Sequence, residues 1–239
     1  MIKKGLNVAL MGVLGLAIVG WDGQQKKTSE TKESINITKN MEQAVYTKKF
    51  TNKDFYKDGK FQGDVALKAY EDMLSFYGIQ LSDFMRKNLW ITDFELGDFE
   101  HVGMAGFFWV NDAEHGYFAH EIYLLPGQMI TEHRHVATDH PAKHESWMVN
   151  KGFVYNFSTG EETPNCPKLP ECQNGFITAK HFVKQNPGEI LPLNGIGEPH
   201  FMMAGENGAC VFEFANYHDG NGLRFTNPKV QFTDVLSQK

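Results

Sequence analysis

The chain predicts a mainly β protein: a double-sheet jelly-roll barrel with helices at its N-terminal end. Two observations carry this. From Trp90 onward apolar residues recur with a period of two in short runs. Turn-forming groups separate the runs, at Asn111-Asp112, Pro126-Gly127, Asn186-Pro187-Gly188 and Asn207-Gly208. Many short strands at regular spacing suit a closed or double-sheet architecture.

Ahead of Trp90 the period is helical. Ala66, Leu67, Tyr70, Met73, Leu74 and Tyr77 fall three or four residues apart, with Asp64 read as the cap and Gly78 as the stop. A second, shorter helix is expected from Ser82-Asp83, with Phe84, Met85 and Leu89 apolar. Strands are expected near 90–95, 102–110, 116–124, 128–135, 145–150, 152–158, 176–185, 189–193, 199–204 and 209–216. Residues 160–175, with three prolines and two cysteines, read as a surface loop. Cys166 and Cys172 in that loop are placed to close a short disulfide ring, whereas Cys210, inside an apolar run, reads as a buried thiol.

A length of 239 residues with 41% hydrophobic content and 19 phenylalanines supports one large domain with a real core. The net charge of −6 and the lack of a basic run exclude nucleic acid as an expected partner. Residues 1–20 read as a signal peptide, with Lys3-Lys4 ahead of a 13-residue apolar stretch from Val8 to Gly20. Ile18-Val19-Gly20 is what precedes a lipoprotein cysteine, but position 21 is Trp, so a lipid anchor is chemically excluded there. Residues 21–43 are polar and read as a linker, leaving 44–239 as the folded domain. The expected location is therefore exported, periplasmic or envelope-associated.

The chemistry concentrates around residues 127–152. His133 and His135, at i and i+2 in an extended segment, share one face of a strand. Glu145 begins the next alternation with Trp147 and Val149, and His200 opens a later strand-like run. Three imidazoles and one carboxylate suit a divalent transition metal with open positions. Lys143, two residues before Glu145, would point to the same side on extended backbone. Glu213, in Val-Phe-Glu-Phe-Ala, sets a carboxylate inside an apolar strand, a setting that suits a general base. His140 and His144 read as loop residues, His181 as a rim residue, and Trp109 and Trp147 as core or lining.

The spacing Gly127-x5-His133-x-His135, then Glu145-x6-Gly152, resembles the first motif of the cupin superfamily, and His200 belongs to a looser second motif. Further strings resemble the D-lyxose ketol-isomerase family: Trp90-Ile-x-Asp-Phe, Gly97-Asp-Phe, Leu124-Leu-Pro-Gly-Gln-Met, Glu132-His-Arg-His and Pro141-Ala-Lys-His-Glu-Ser-Trp. Matches run from about Phe61 to Pro228. The resemblance implies a cupin double-stranded β-helix and a divalent metal, commonly Mn2+, with Zn2+, Fe2+ or Co2+ as other ions. It further implies a small neutral sugar as substrate, D-lyxose exchanging with D-xylulose or D-mannose with D-fructose, and a homodimer. On that reading His133, His135, Glu145 and His200 hold the metal, Glu213 is the base, and Lys143 is the acid or oxyanion partner. Two departures stand out: the export signal, and the stretch Tyr217 to Arg224, which matches the family less well. An iron-dependent dioxygenase and a non-catalytic sugar-binding cupin remain the alternatives at this point.

Overall fold

A computed structural model describes residues 45–236. The expected signal peptide (1–20) and linker (21–43), with Trp21, lie outside the described residues. Three helices come first, α1 (Asn52–Phe55), α2 (Gly63–Phe76) and α3 (Asp83–Asn88), with a two-residue hairpin, β1 (Tyr56–Lys57) and β2 (Lys60–Phe61), between α1 and α2. Helix α2 starts two residues earlier than a cap at Asp64 would set it. Gln62 takes the N-cap position without a side-chain bond, and Asp64 sits in the first turn, where its carboxylate faces the positive end of the helix. Gly78 ends it as expected, in the left-handed region at φ +73°. In α3 the Ser82 hydroxyl accepts from the Met85 amide at 3.2 Å.

The apolar stripe of α2 is Ala66, Ala69, Tyr70, Met73 and Leu74, all buried. It covers the outer face of the main sheet at Ile91, Ala105, Phe107, Tyr123 and Cys210, so Cys210 is indeed a core thiol. Nine more strands follow: β3 (Trp90–Thr92), β4 (Met104–Asp112), β5 (Tyr117–Leu124), β6 (His133–His135), β7 (Glu145–Ser158), β8 (His181–Gln185), β9 (Ile190–Pro192), β10 (Phe201–Asn216) and β11 (Leu223–Phe225). The main sheet runs β3-β4-β5-β10-β7-β8, with β9 also on β7, and β6 pairs with β11. A second core lies inside, built from Met104, Ile122, Leu124, Val149, Val211 and their neighbours.

Two expected strand pairs are in fact single long strands. Ala204 pairs with Val154 and Ala209 with Gly152, so residues 205–208 of β10 bulge opposite the single residue Phe153. Asn207-Gly208 therefore bends the strand without ending it. Gly152 sits at φ +68°, where a Cβ would fall 1.9 Å from the Gly208 carbonyl oxygen. Only glycine fits there. The bend lets β7 and β10 each serve two walls of a barrel. The second wall closes through Ile130 N–H to Met202 O (3.0 Å) and Ala204 N–H to Gln128 O (2.9 Å). Within 128–135 only the last three residues form a ladder strand.

Residues 176–180 are a loop rather than the start of a strand. They are held by Glu132, whose buried carboxylate accepts from Thr178 N–H (2.7 Å), Thr178 Oγ1 (2.8 Å), Ala179 N–H (2.7 Å) and Thr226 Oγ1 (2.7 Å). These bonds replace a ladder for that segment. Cys166 and Cys172, spaced so that a short ring could close, are both free thiols. Cys166 faces solvent, while Cys172 packs against the inner core with its thiol 3.6 Å from Asp98 Oδ2, so the two sulfurs point to different surroundings.

Candidate active site

Strand pairing brings the predicted residues together. His133 and His200 face each other across the closing wall as a hydrogen-bonded pair, His133 N–H to His200 O at 3.0 Å and the reverse at 2.9 Å. Their rings lie 4.4 Å apart. His135 shares the face of His133, two residues along β6. Glu145 opens β7 opposite Ala215 of β10. The ligand atoms of His133, His135, Glu145 and His200 all lie within 4.8 Å of one another.

The surroundings orient these rings. His133 Nδ1 donates to Thr131 O at 2.9 Å and His200 Nδ1 to Glu198 O at 2.8 Å. Each bond turns Nε2 toward the cluster, the usual outer support of a metal-binding histidine. His200 Nε2 is 2.7 Å and His135 Nε2 3.4 Å from Glu145 Oε1. The buried His135 Nε2 has no hydrogen-bond partner. Three convergent imidazole nitrogens, one of them orphaned, plus a carboxylate fit a divalent ion. Without an ion, burial opposes charge on Glu145, yet Lys143, His135 and His200 hold it well below the usual carboxylate range. Burial likewise opposes charge on His200, and Glu145 outweighs it, raising the imidazole above its ordinary value. Burial pushes His133 well below it, with His200 and His135 adding to the effect.

Lys143 is buried beside this set, its Nζ 2.6 Å from Glu145 Oε2 and in contact with Glu213 Oε1. The expectation that it points to the side of Glu145 holds. Burial acts against its charge, but the two carboxylates prevail and raise its pKa, so Lys143 is a held ammonium. Glu213 lies on β10 between His120 of β5 and Trp147 of β7, and its Oε2 meets His120 Nδ1 at 3.2 Å. All six predicted residues line one cavity of about 360 Å³, with Trp90, Phe94, Phe108, Phe118 and Trp147 among its apolar walls.

Other predicted candidates stay outside. His144 bonds Leu193 O through Nε2 at 2.9 Å. His140 stacks against Tyr217, and His181 Nδ1 lies 3.1 Å from Thr163 Oγ1. Trp109 is half exposed and lies against Phe84, away from the cavity. Sequence reasoning missed His120 and His218, which also line the cavity. A signal for His120 existed, since it alternates with Phe118 and Ile122 on the inner face of β5. His218 had none, because it follows the end of β10 in irregular chain.

The fold and site define a cupin-type barrel that encloses three histidines and a glutamate beside a buried Lys–Glu pair, a set suited to metal-assisted proton transfer. No family model matches the chain. Among curated proteins, a D-lyxose/D-mannose isomerase of Thermosediminibacter oceani is 34% identical over 174 residues, 70% of this chain and 92% of the relative. A D-lyxose ketol-isomerase of a Thermofilum species is 31% identical over 66% of this chain and 88% of its own length. The chain belongs to the D-lyxose ketol-isomerase family. It is thereby an aldose–ketose isomerase, which removes the dioxygenase and the non-catalytic binder. Solved structures agree on the fold: an L-ribose isomerase of Acinetobacter sp. DL28 superposes with a TM-score of 0.58 at 13% identity, over 78% of this chain and 96% of its own. One from Cellulomonas parahominis gives 0.52 at 13% identity, over 68% and 93%.

Proposed function

We propose that this protein interconverts D-lyxose and D-xylulose, and D-mannose and D-fructose, using a divalent metal, with Mn2+ the expected ion. The observation that carries this is the buried Lys143–Glu213 contact set directly against the four-ligand cluster inside one cavity. The names of the relatives supply the sugars. His133, His135, Glu145 and His200 would hold the ion. When bound, it would supply Lewis-acid stabilisation of the charge that develops on the sugar's carbonyl and neighbouring hydroxyl oxygens.

The chain's own residues do the rest. Isomerisation moves the C2 proton of the aldose to C1, while a hydroxyl proton passes from O2 to O1. Glu213 is the group that takes the carbon-bound proton and returns it one carbon away. Lys143, held as an ammonium between two carboxylates, donates a hydrogen bond to the enediolate oxygen and serves as acid toward it. The aromatic walls exclude water while the proton rides on Glu213. Phe118 lies 4.7 Å from Lys143 Nζ, so an aromatic face adds a cation–π contact to the ammonium.

The test is metal analysis of the purified protein followed by NMR of its Mn2+ form with D-lyxose. Stoichiometric metal and the appearance of D-xylulose are expected. Metal without turnover of D-lyxose or D-mannose would overturn the substrate assignment, and no metal would overturn the ligand assignment. Export and a homodimer complete the proposal, supported by the Lys3-Lys4 and Val8–Gly20 pattern and by the habit of related cupins. Cell fractionation and size-exclusion chromatography with light scattering test them.

A further inference from the structure

His120 is not among the groups the mechanism uses, yet its surroundings are built with care. It sits on β5 directly opposite Glu213 in the β5–β10 register, and it is 5% exposed. Its ring lies in an aromatic slot. Trp90 of β3 stacks on it at 5.3 Å and 25°, and Phe108 of β4 meets it edge-on at 5.0 Å and 81°. Phe118 of β5 closes a third side at 5.7 Å. On the fourth side stands Gly106, where any Cβ would fall 2.5 Å from His120 Nε2. The same Cβ would fall 2.3 Å from the Glu121 carbonyl oxygen, so position 106 has no room for a side chain beside the ring.

The ring's two nitrogens have different fates. Nδ1 faces Glu213 Oε2 at 3.2 Å, and buried Nε2 has no partner. A proton on Nε2 would be a buried donor with nothing to receive it, while Nδ1 would be left opposite a carboxylate with no hydrogen between them. Both costs vanish if the single proton of the neutral ring sits on Nδ1 and donates to Glu213. Burial pushes the His120 pKa down against the pull of Glu213, consistent with a neutral ring. Lys143 holds the other oxygen of the same carboxylate. Glu213 is thus gripped at both oxygens, by the Lys143 ammonium on one and a caged imidazole on the other.

We infer that His120 is a positioning residue: its Nδ1–H fixes the Glu213 carboxylate in the rotamer from which it moves the proton between C1 and C2. This deepens the proposed function and rests on Glu213 being the base. A carboxylate held by Lys143 alone is fixed at one oxygen and can still rotate about that contact, and small misplacements of a proton-transferring group slow the chemical step without changing substrate binding. The cage around His120 removes that freedom, and the glycine at 106 is the space that allows the cage.

The experiment compares His120→Phe and His120→Leu, which delete the donor, with His120→Asn, whose side-chain amide can place an N–H near the Nδ1 position. Each is made in the full chain and checked for melting temperature and metal content. In a donor-deleted variant that keeps both, kcat is expected to fall about ten-fold or more, as for loss of a hydrogen bond to a charged group, with KM within about two-fold. His120→Asn is expected to recover most of the loss. Unchanged kcat in a folded, metal-loaded Phe or Leu variant overturns the inference. So does an Asn variant as slow as those two. Glu213→Gln separates the two layers: if it remains active, the base assignment itself fails, whereas if it is inactive while His120→Phe is not slowed, only the positioning role fails.

Discussion

The site depends on single atoms whose partners leave no slack. His135 Nε2 is buried without a hydrogen-bond partner, its one polar neighbour being Glu145 Oε1 at 3.4 Å, so its removal deletes a candidate ligand and disturbs no bond outside the site. His135→Ala is expected to fold normally, and its metal affinity should drop by more than the roughly 10–100-fold typical of losing an outer support residue. Calorimetric titration against the unmodified protein measures it. Glu213→Gln keeps the shape of the side chain but cannot accept a proton. Its metal content should stay stoichiometric while kcat falls by about 10²–10⁴, read in the same NMR assay. These residue-scale features were unevenly legible. The i,i+2 histidines and Glu145 were visible because ligand geometry follows directly from strand periodicity. Glu132 stands beside them in the sequence, yet its task is to anchor residues 178 and 179 and Thr226. No local pattern announces partners that distant.

At the scale of elements, strand length was the least legible quantity. Asn207-Gly208 read as a turn and residue 151 as a break between two strands, whereas here both places lie at a bend in strands that continue. A glycine signals unusual backbone; the neighbouring strand decides whether that becomes a turn or a bulge. Gly152 supplies the clearest test. At φ +68°, with backbone oxygen 1.9 Å from a built Cβ, Gly152→Ala must move β7 away from the β10 bulge. The expected loss is about 3 kcal/mol, or roughly 10 °C in Tm for a domain of this size. Differential scanning calorimetry reads it, and an unchanged Tm would mean the corner is not held as described. The helices were easier to place, because α2 carries its apolar stripe in one uninterrupted run.

For the molecule as a whole, buried imidazoles give metal-free protein a defined acid response. Burial lowers the pKa of His120 and pushes His218 down to about 3, against about 6.5 in an unfolded chain. His133 moves the same way. Below pH 6.5 the unfolded state therefore takes up protons that the folded state refuses, and stability falls as pH falls, by up to about 1.4 kcal/mol per pH unit for each such group. His200 acts oppositely: its raised pKa adds stability that is present below pH 6.5 and lost as pH rises through its folded value. Three groups against one make the net slope acid-destabilising. Urea titrations at pH 7 and pH 5 in the presence of chelator should show lower stability at pH 5, and His218→Asn should flatten that slope. The barrel class, its helical cover and the clustering of His133, His135, Glu145 and His200 were readable in advance. The inward-facing character of His218 was not, since it depends on how the chain turns after β10.

The bend shared by β7 and β10 also has a kinetic meaning. Because each strand crosses from one wall to the other at that corner, the two walls are joined by continuous covalent chain as well as by side-chain packing. The ligand-bearing segments 133–135, 145 and 200 meet only when strands far apart in sequence have paired on both sides of the corner. Non-local pairing of this kind is slow, since chain-closure entropy is spent before the contacts form. The cavity is therefore complete only when pairing on both sides of the corner is in place, so its integrity reports on the whole barrel and not on any one strand.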